Sequence, residues 1–173
     1  MQPATEPGRL VLVMPKLTTH RLVIGIFDHG GSLRQAGISL ADLDVGPAQL
    51  CLVAPTGRLR RLAQQAGVAD RAELLEGLSG TDPSLVTSTD KDGILTMVGT
   101  DWARAALSSF WSNNSTHPHS WMTGGQRASI VDYVQRGAAV LAVSANSAIE
   151  HRAATRALLR HSSHRVWTHE FVT

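Results

Sequence analysis

Two strand–helix–strand units, one near each end of the sequence, are the feature that most restricts the fold. The first unit spans Leu22–Ala54 and contains an apolar run rich in β-branched residues, a short helical stretch and a second apolar run. The second unit spans Ala138–Phe171 and repeats this order with a longer helical pattern. Two split units of this kind build an α+β sandwich in which helices cover one face of a four-stranded antiparallel sheet. The sequence therefore predicts the ferredoxin-like arrangement.

The length of 173 residues suits one compact domain. Residues 1–20 hold three prolines and little periodicity, and we expect them to form a loose leader. Residues 21–173 then form a single α+β domain. Between its two units, residues from about 57 to 136 show mainly helical spacing, so we predict a helical insertion there.

Composition limits the functional classes. The net charge of +2 comes from a near-balance, whereas nucleic-acid binding needs clustered positive charge, so a nucleic-acid partner is disfavoured. The single cysteine, Cys51, excludes an intrachain disulfide and lies in an apolar run that favours burial. No apolar run approaches the roughly 20 residues that cross a bilayer. We expect a cytoplasmic protein without membrane contact and without a cofactor.

Four segments carry a resemblance to a known family. They are the strand Leu22–Asp28 with Leu50–Ala54, and the strand Gly137–Val143 with His164–Glu170. Together they resemble the small bacterial general-stress-protein domains, in which a first strand ending in Phe-Asp and a late Gly-led strand flank a helix-rich middle. The resemblance implies the ferredoxin-like fold, a bacterial source and a role in the stress response. It implies no catalytic residues, and this chain departs from the pattern in its short first helix and its Trp/His-rich middle loop.

Both faces of the predicted sheet are expected to be covered. In a sheet with one solvent-exposed face, each strand alternates apolar and polar residues. Leu22–Phe27 and Ala138–Val143 are instead apolar at both the odd and the even positions. The last strand places Trp167, His169 and Phe171 on one side. Because an exposed patch of this size is unusual on a monomer, either a second subunit or the insertion must cover it. We expect these three residues to form a partner interface, most simply in a homodimer.

The polar loop between Trp111 and Trp121 favours a second hypothesis. Loops on a rigid scaffold often carry binding and catalytic groups, and imidazoles act as acids, bases and metal ligands near neutral pH. The alternative is therefore a small enzyme or metal-binding protein with a ligand pocket between the sheet and the insertion, lined by Trp111, His117, His119, Trp121 and His169. The structural explanation is that the tryptophans hold the loop to the core while the histidines are solvated.

Two further patterns have both a functional and a structural explanation. His161, His164 and His169 cross a helix end, a turn and a strand, and spacing alone does not bring them together, so we predict no metal site. A basic stripe recurs every four residues along the last helix, at Arg152, Arg156 and Arg160. The stripe could bind an anion, a nucleic acid or an acidic partner, or it is the solvated face of that helix.

The sequence contains no dinucleotide-binding glycine pattern, phosphate-binding loop, zinc-protease motif or nucleophile elbow. We therefore predict a non-enzymatic binding or assembly module that oligomerises through its sheet face. The small enzyme or metal-binding protein with the His/Trp-lined pocket remains the alternative.

Overall fold

The computed structural model describes residues 19–69, 73–74, 86–89, 95–99 and 124–172. Within these ranges the chain forms a mixed α+β structure with six strands and four α-helices. In chain order they are β1 (Thr19–Phe27), α1 (Gly30–Ala41), β2 (Leu50–Pro55), α2 (Leu59–Ala66), β3 (Val86–Thr89), β4 (Leu95–Gly99), α3 (Gly124–Gln135), β5 (Ala139–Ala145), α4 (Ala148–His161) and β6 (Trp167–Val172).

The strands form one sheet in the order β3-β4-β2-β5-β1-β6, and every neighbouring pair is antiparallel. Strand β5 lies between β1 and β2, so β1 and β2 run in the same direction and are joined through α1. Strand β1 lies between β5 and β6, so β5 and β6 are also parallel to each other and are joined through α4. The two end units of the chain therefore interleave within a single sheet.

The insertion is not purely helical. Strands β3 and β4 pair with each other, and β4 adds this hairpin to the sheet beside β2. The prediction of a helical insertion is therefore wrong for Val86–Thr89 and Leu95–Gly99. These strands are four and five residues long, too short for a clear period-two signal. The start of the domain also differs slightly, because β1 begins at Thr19, inside the predicted leader.

Helices α1, α2 and α4 cover one face of the sheet, which we call the first face. Their buried side chains join those of β1, β2 and β5 in one continuous cluster. Large members of this cluster are Val23, Phe27, Leu33, Leu40, Leu52, Leu62, Leu141 and Leu158. Fully burying a side chain of this size stabilises the fold by about 1.5–3 kcal/mol, so this layer is a major source of stability.

Helix α3, which belongs to the insertion, covers the opposite face, which we call the second face. Ile130 and Val134 of α3 pack with apolar side chains of the three central strands, namely Ile24, Ile26, Cys51, Val53, Val140 and Ala142. Tyr133 and Trp167 pack against the same cluster and are half-buried. Helices cover both faces of β1 and β5, which explains why these strands are apolar at both the odd and the even positions. The sequence predicted that either a second subunit or the insertion covers the second face. In the described residues, helix α3 of the insertion covers it.

Ser147 caps the N-terminus of α4, and its hydroxyl accepts a hydrogen bond from the Glu150 N–H at 3.1 Å. The buried side chains of α4 are Ala154, Ala157 and Leu158. Sequence spacing places Ile149 in one helical stripe with Ala153, Ala157 and Leu158, but Ile149 is 72% exposed. Four alanines in α4 make its apolar stripe ambiguous in sequence, because small side chains fit either phase of the helix.

Two serines close the edge of β1 that β6 leaves uncovered. Pairing with β6 reaches only Ile24, opposite Trp167. Beyond that point, the Ser162 hydroxyl accepts from the Ile26 N–H at 3.1 Å and donates to the Ile26 carbonyl at 2.8 Å. The Asp28 N–H donates to the Ser163 hydroxyl at 3.0 Å. Side chains thus take the place of a strand, and buried backbone groups keep their partners.

We expect Ser162→Ala to lower the free energy of unfolding by about 1–3 kcal/mol, because it removes the partner of the N–H of fully buried Ile26. Urea denaturation monitored by circular dichroism measures this loss. The matched control is Ser129→Ala, which removes an exposed hydroxyl bonded to a carbonyl of its own helix. Equal stability of the two variants would contradict the assigned role of Ser162.

Candidate functional site

A cleft of about 210 Å³ lies at the end of the sheet where β1 ends and β5 begins. Asp28 directly follows β1, and Gly137 precedes β5. Helix α2 and the turn before it form one wall, and the residues that follow α3 form another. We call this feature the arginine cleft; it is lined by Asp28, Arg58, Arg61, Leu62, Gln65, Arg136 and Gly137.

Two glycines allow the walls of the arginine cleft to approach each other. A methyl group at Gly30 would overlap the backbone carbonyl of Leu62, so α1 and α2 meet here at a distance that only glycine permits. The Gly30 N–H donates to Gln65 Oε1 at 3.1 Å and ties the two helices together. Gly137 has a positive φ of 99°, and a Cβ there would lie 2.6 Å from Arg58 Nε. The Arg58 side chain therefore lies directly against the Gly137 backbone.

The charge of the cleft lining is strongly positive. Three arginines share it with one carboxylate, that of Asp28. Arg136 pairs with Asp132 one turn earlier, with Nε 3.1 Å from Oδ1. In the part of the chain that the structure describes, neither Arg58 nor Arg61 has an acidic partner within ion-pair distance. Guanidinium groups placed together without counter-charges favour the binding of an anion, since like charges at short range repel each other.

A chain of side chains connects the cleft to the second face. His164 Nε2 donates to Asp28 Oδ2 at 2.6 Å. The His164 ring lies against Tyr133 with centroids 4.3 Å apart, and Tyr133 meets Trp167 edge-on at 6.4 Å. The Arg136 guanidinium sits 5.6 Å from the Tyr133 centroid, within the range of a cation–π contact. Packing on three sides fixes Tyr133, and Tyr133 in turn restricts the His164 ring.

The three C-terminal histidines do not converge. His161 Nε2 lies 3.0 Å from Ser39 Oγ and connects α4 to α1. His164 contacts Asp28 at the end of β1, and half-buried His169 lies on β6 beside Leu22. Over the described ranges, no group of three or more His, Cys, Asp or Glu side chains is arranged to hold a metal ion.

Four of the five residues predicted to line the His/Trp pocket lie outside the described residues. They are Trp111, His117, His119 and Trp121. His169 is the described member of that set. It lies on the second face and does not line the arginine cleft. Of the predicted partner interface, Trp167 packs against α3, and Phe171 is paired with His20 in the sheet. The pocket and the interface therefore remain predictions.

The predicted basic stripe is solvent-exposed along α4 at Arg152, Arg156 and Arg160. Glu150 is the acidic residue of this helix. Its carboxylate accepts hydrogen bonds from the Gln49 side-chain amide at 3.0 Å and from the Asn146 N–H at 2.8 Å. None of the three arginines lines the cleft. Their position fits the solvated-face explanation, and a role in binding is still a prediction.

Sequence reasoning missed the arginine cleft. Its lining comes from three separated segments, at residue 28, at residues 58–65 and at residues 136–137. One signal was available, because Arg58, Arg60 and Arg61 cluster at the start of a helix directly after a strand. A basic cluster at a strand–helix junction indicates an anion site, although its spacing is less regular than that of the stripe on α4.

No family model matches the chain, and neither the curated proteins nor the solved structures contain a significant match. The resemblance to the general-stress-protein domains therefore stays a prediction. None of the helices in the described ranges is both long and apolar enough to cross a membrane.

Burial lowers the pKa of His169 below its usual 6.5, because desolvation disfavours the charged imidazole. Below pH 6.5 the unfolded chain binds a proton that the folded chain resists binding. The stability contributed by neutral His169 is thus fully present above pH 6.5 and falls as the pH drops through the folded-state pKa.

We expect His169→Gln to lose less stability between pH 7.5 and 5 than the unaltered protein, as measured by urea denaturation at each pH. Parallel losses in the two proteins would contradict this assignment.

Proposed function

We propose that this protein is a non-enzymatic binding module that holds a small anionic ligand in the arginine cleft. The observation that carries the proposal is the grouping of Arg58, Arg61 and Arg136 around one cleft, with the first two lacking acidic partners among the described residues. An anion would supply the missing counter-charge. A guanidinium binds a carboxylate or a phosphate through two parallel hydrogen bonds, which provides both affinity and orientation.

The size of the cleft limits the ligand. A volume of about 210 Å³ is below the ~300–1,000 Å³ of sites that hold drug-sized molecules. The cleft therefore suits a phosphate or carboxylate group on a small body. Its lining consists of arginine, glutamine, aspartate, leucine and glycine side chains, and the described lining offers no serine, threonine, cysteine or lysine as a nucleophile. The lining instead supplies guanidinium groups and a side-chain amide, which donate hydrogen bonds to an anion.

We also propose that β2, β5, β1 and β6 with α1 and α4 constitute a ferredoxin-like sandwich. The strand order β2-β5-β1-β6 and the interleaving of two split βαβ units support this assignment. The packing of α1 and α4 on the same face of the sheet supports it further. In this view, the β3–β4 hairpin and α3 are additions that extend the sheet and cover its second face.

Calorimetric titration with inorganic phosphate and pyrophosphate at low salt tests the binding proposal. We expect Arg58→Gln and Arg61→Gln each to weaken binding roughly tenfold or more, because each removes charge-assisted hydrogen bonds of about 1.5–3 kcal/mol. The matched control is Arg60→Gln, which removes the same charge at an exposed position of α2 outside the cleft lining. Equal weakening by all three variants, or no binding by the unaltered protein, would refute the proposal.

A second candidate is self-assembly through the β6 side of the sheet. Within the described residues β6 is an edge strand that pairs on one side with β1, and an edge strand is a template for pairing with another chain. The predicted interface residues Trp167, His169 and Phe171 all lie on this strand. A two-fold dimer would bring the same strand of two copies together.

Size-exclusion chromatography with light scattering at micromolar concentration tests the assembly candidate. We expect a mass twice that of one chain, and the same mass for Arg61→Gln, because the cleft lies at the end of the sheet and not along its β6 edge. A strict monomer would exclude the dimer and leave the binding proposal intact.

A further inference from the structure

Asp28 has an unusual position within the arginine cleft. It shares the lining with three arginines, yet none of them lies within ion-pair distance of its carboxylate in the described structure. The carboxylate instead accepts from His164 Nε2 at 2.6 Å. A flexible carboxylate beside three guanidinium groups would ordinarily turn towards one of them, because charge-assisted pairs of this kind are strong. The structure therefore holds Asp28 apart from the arginines.

We propose that Asp28 is a second recognition group of the cleft, and that the ligand is a small zwitterion with an anionic group for the arginines and an ammonium group for Asp28. This inference rests on the proposed anion-binding function and adds the class of ligand. A carboxylate has about four hydrogen-bond acceptor sites, and His164 occupies one of them. The Asp28 side chain is 55% exposed, so further acceptor sites are accessible from the cleft.

The residues around Asp28 keep it in place. Its backbone N–H donates to the Ser163 hydroxyl at 3.0 Å, and the Ser163 N–H donates to the Ile26 carbonyl at 2.8 Å. The Tyr133 ring stacks on the His164 ring at 4.3 Å and restricts the side chain that holds the carboxylate. His164 is thus a positioning residue, which acts on the ligand through Asp28.

Phosphoethanolamine and ethyl phosphate are the matched probes for this inference. They share a phosphate monoester on a two-carbon chain and differ in the ammonium group, so the ratio of their affinities isolates the contribution of Asp28. Titration calorimetry at pH 7.5 measures both. We expect the unaltered protein to bind phosphoethanolamine about tenfold more tightly than ethyl phosphate.

Two variants separate recognition from positioning. We expect Asp28→Asn to abolish the preference for phosphoethanolamine and to leave ethyl phosphate bound at least as tightly, because a repelling carboxylate has been removed. We expect His164→Ala to weaken both probes, since a released Asp28 would neutralise one of the arginines. The control is Asp42→Asn, an exposed carboxylate at the end of α1, which should retain the tenfold preference.

The outcomes distinguish this inference from the proposed function. If ethyl phosphate binds and phosphoethanolamine binds no more tightly, the zwitterion inference is wrong and the anion-binding function stands. If Asp28→Asn keeps the preference, Asp28 is not the recognition group and the inference is likewise wrong. If neither probe binds, the proposed function is wrong and the inference fails with it.

Discussion

The pairing of β1 with β5 is the interaction on which the rest of this structure depends. Each strand comes from a different end unit, and their pairing runs from Arg21 opposite Ala145 to Phe27 opposite Ala139. Both strands are buried on both faces, so their central side chains have little or no contact with water. A polar substitution at Ile24 or Val140 would therefore disturb the packing of α3 on the second face and also the union of the two units.

The same pairing creates the arginine cleft. Because Phe27 lies opposite Ala139, the residues just outside the strands, Asp28 and Gly137, lie near each other at the end of the sheet. Helix α2 reaches this end from the first face, and the turn after α3 reaches it from the second face. Neither helix could form the cleft by itself, because each supplies one wall. The register of two central strands thus determines which cations and which carboxylate meet.

The electrostatics of the cleft depend on what holds its charges apart. Arg136 has a partner in α3, the helix that it directly follows, whereas Arg58 lies against the Gly137 backbone, where any side chain would displace it. Asp28 is held by His164, which is itself stacked on Tyr133. Contacts outside the lining therefore keep the positive and negative groups of the cleft available to a ligand. Preorganisation of this kind lowers the cost of ordering side chains upon binding.

Sequence periodicity by itself determined that the chain has two strand–helix–strand units and that both faces of the central strands are buried. Such patterns record which segments leave water, since burial acts residue by residue along the chain. They did not reveal the short β3–β4 hairpin or the phase of the alanine-rich helix α4, where the signal is weak. The meeting of Asp28, Arg58, Arg136 and His164 at one end of the sheet follows from the three-dimensional fold and from no segment alone. The physical reason is that these residues are brought together by strand register and layer packing, which no local pattern encodes.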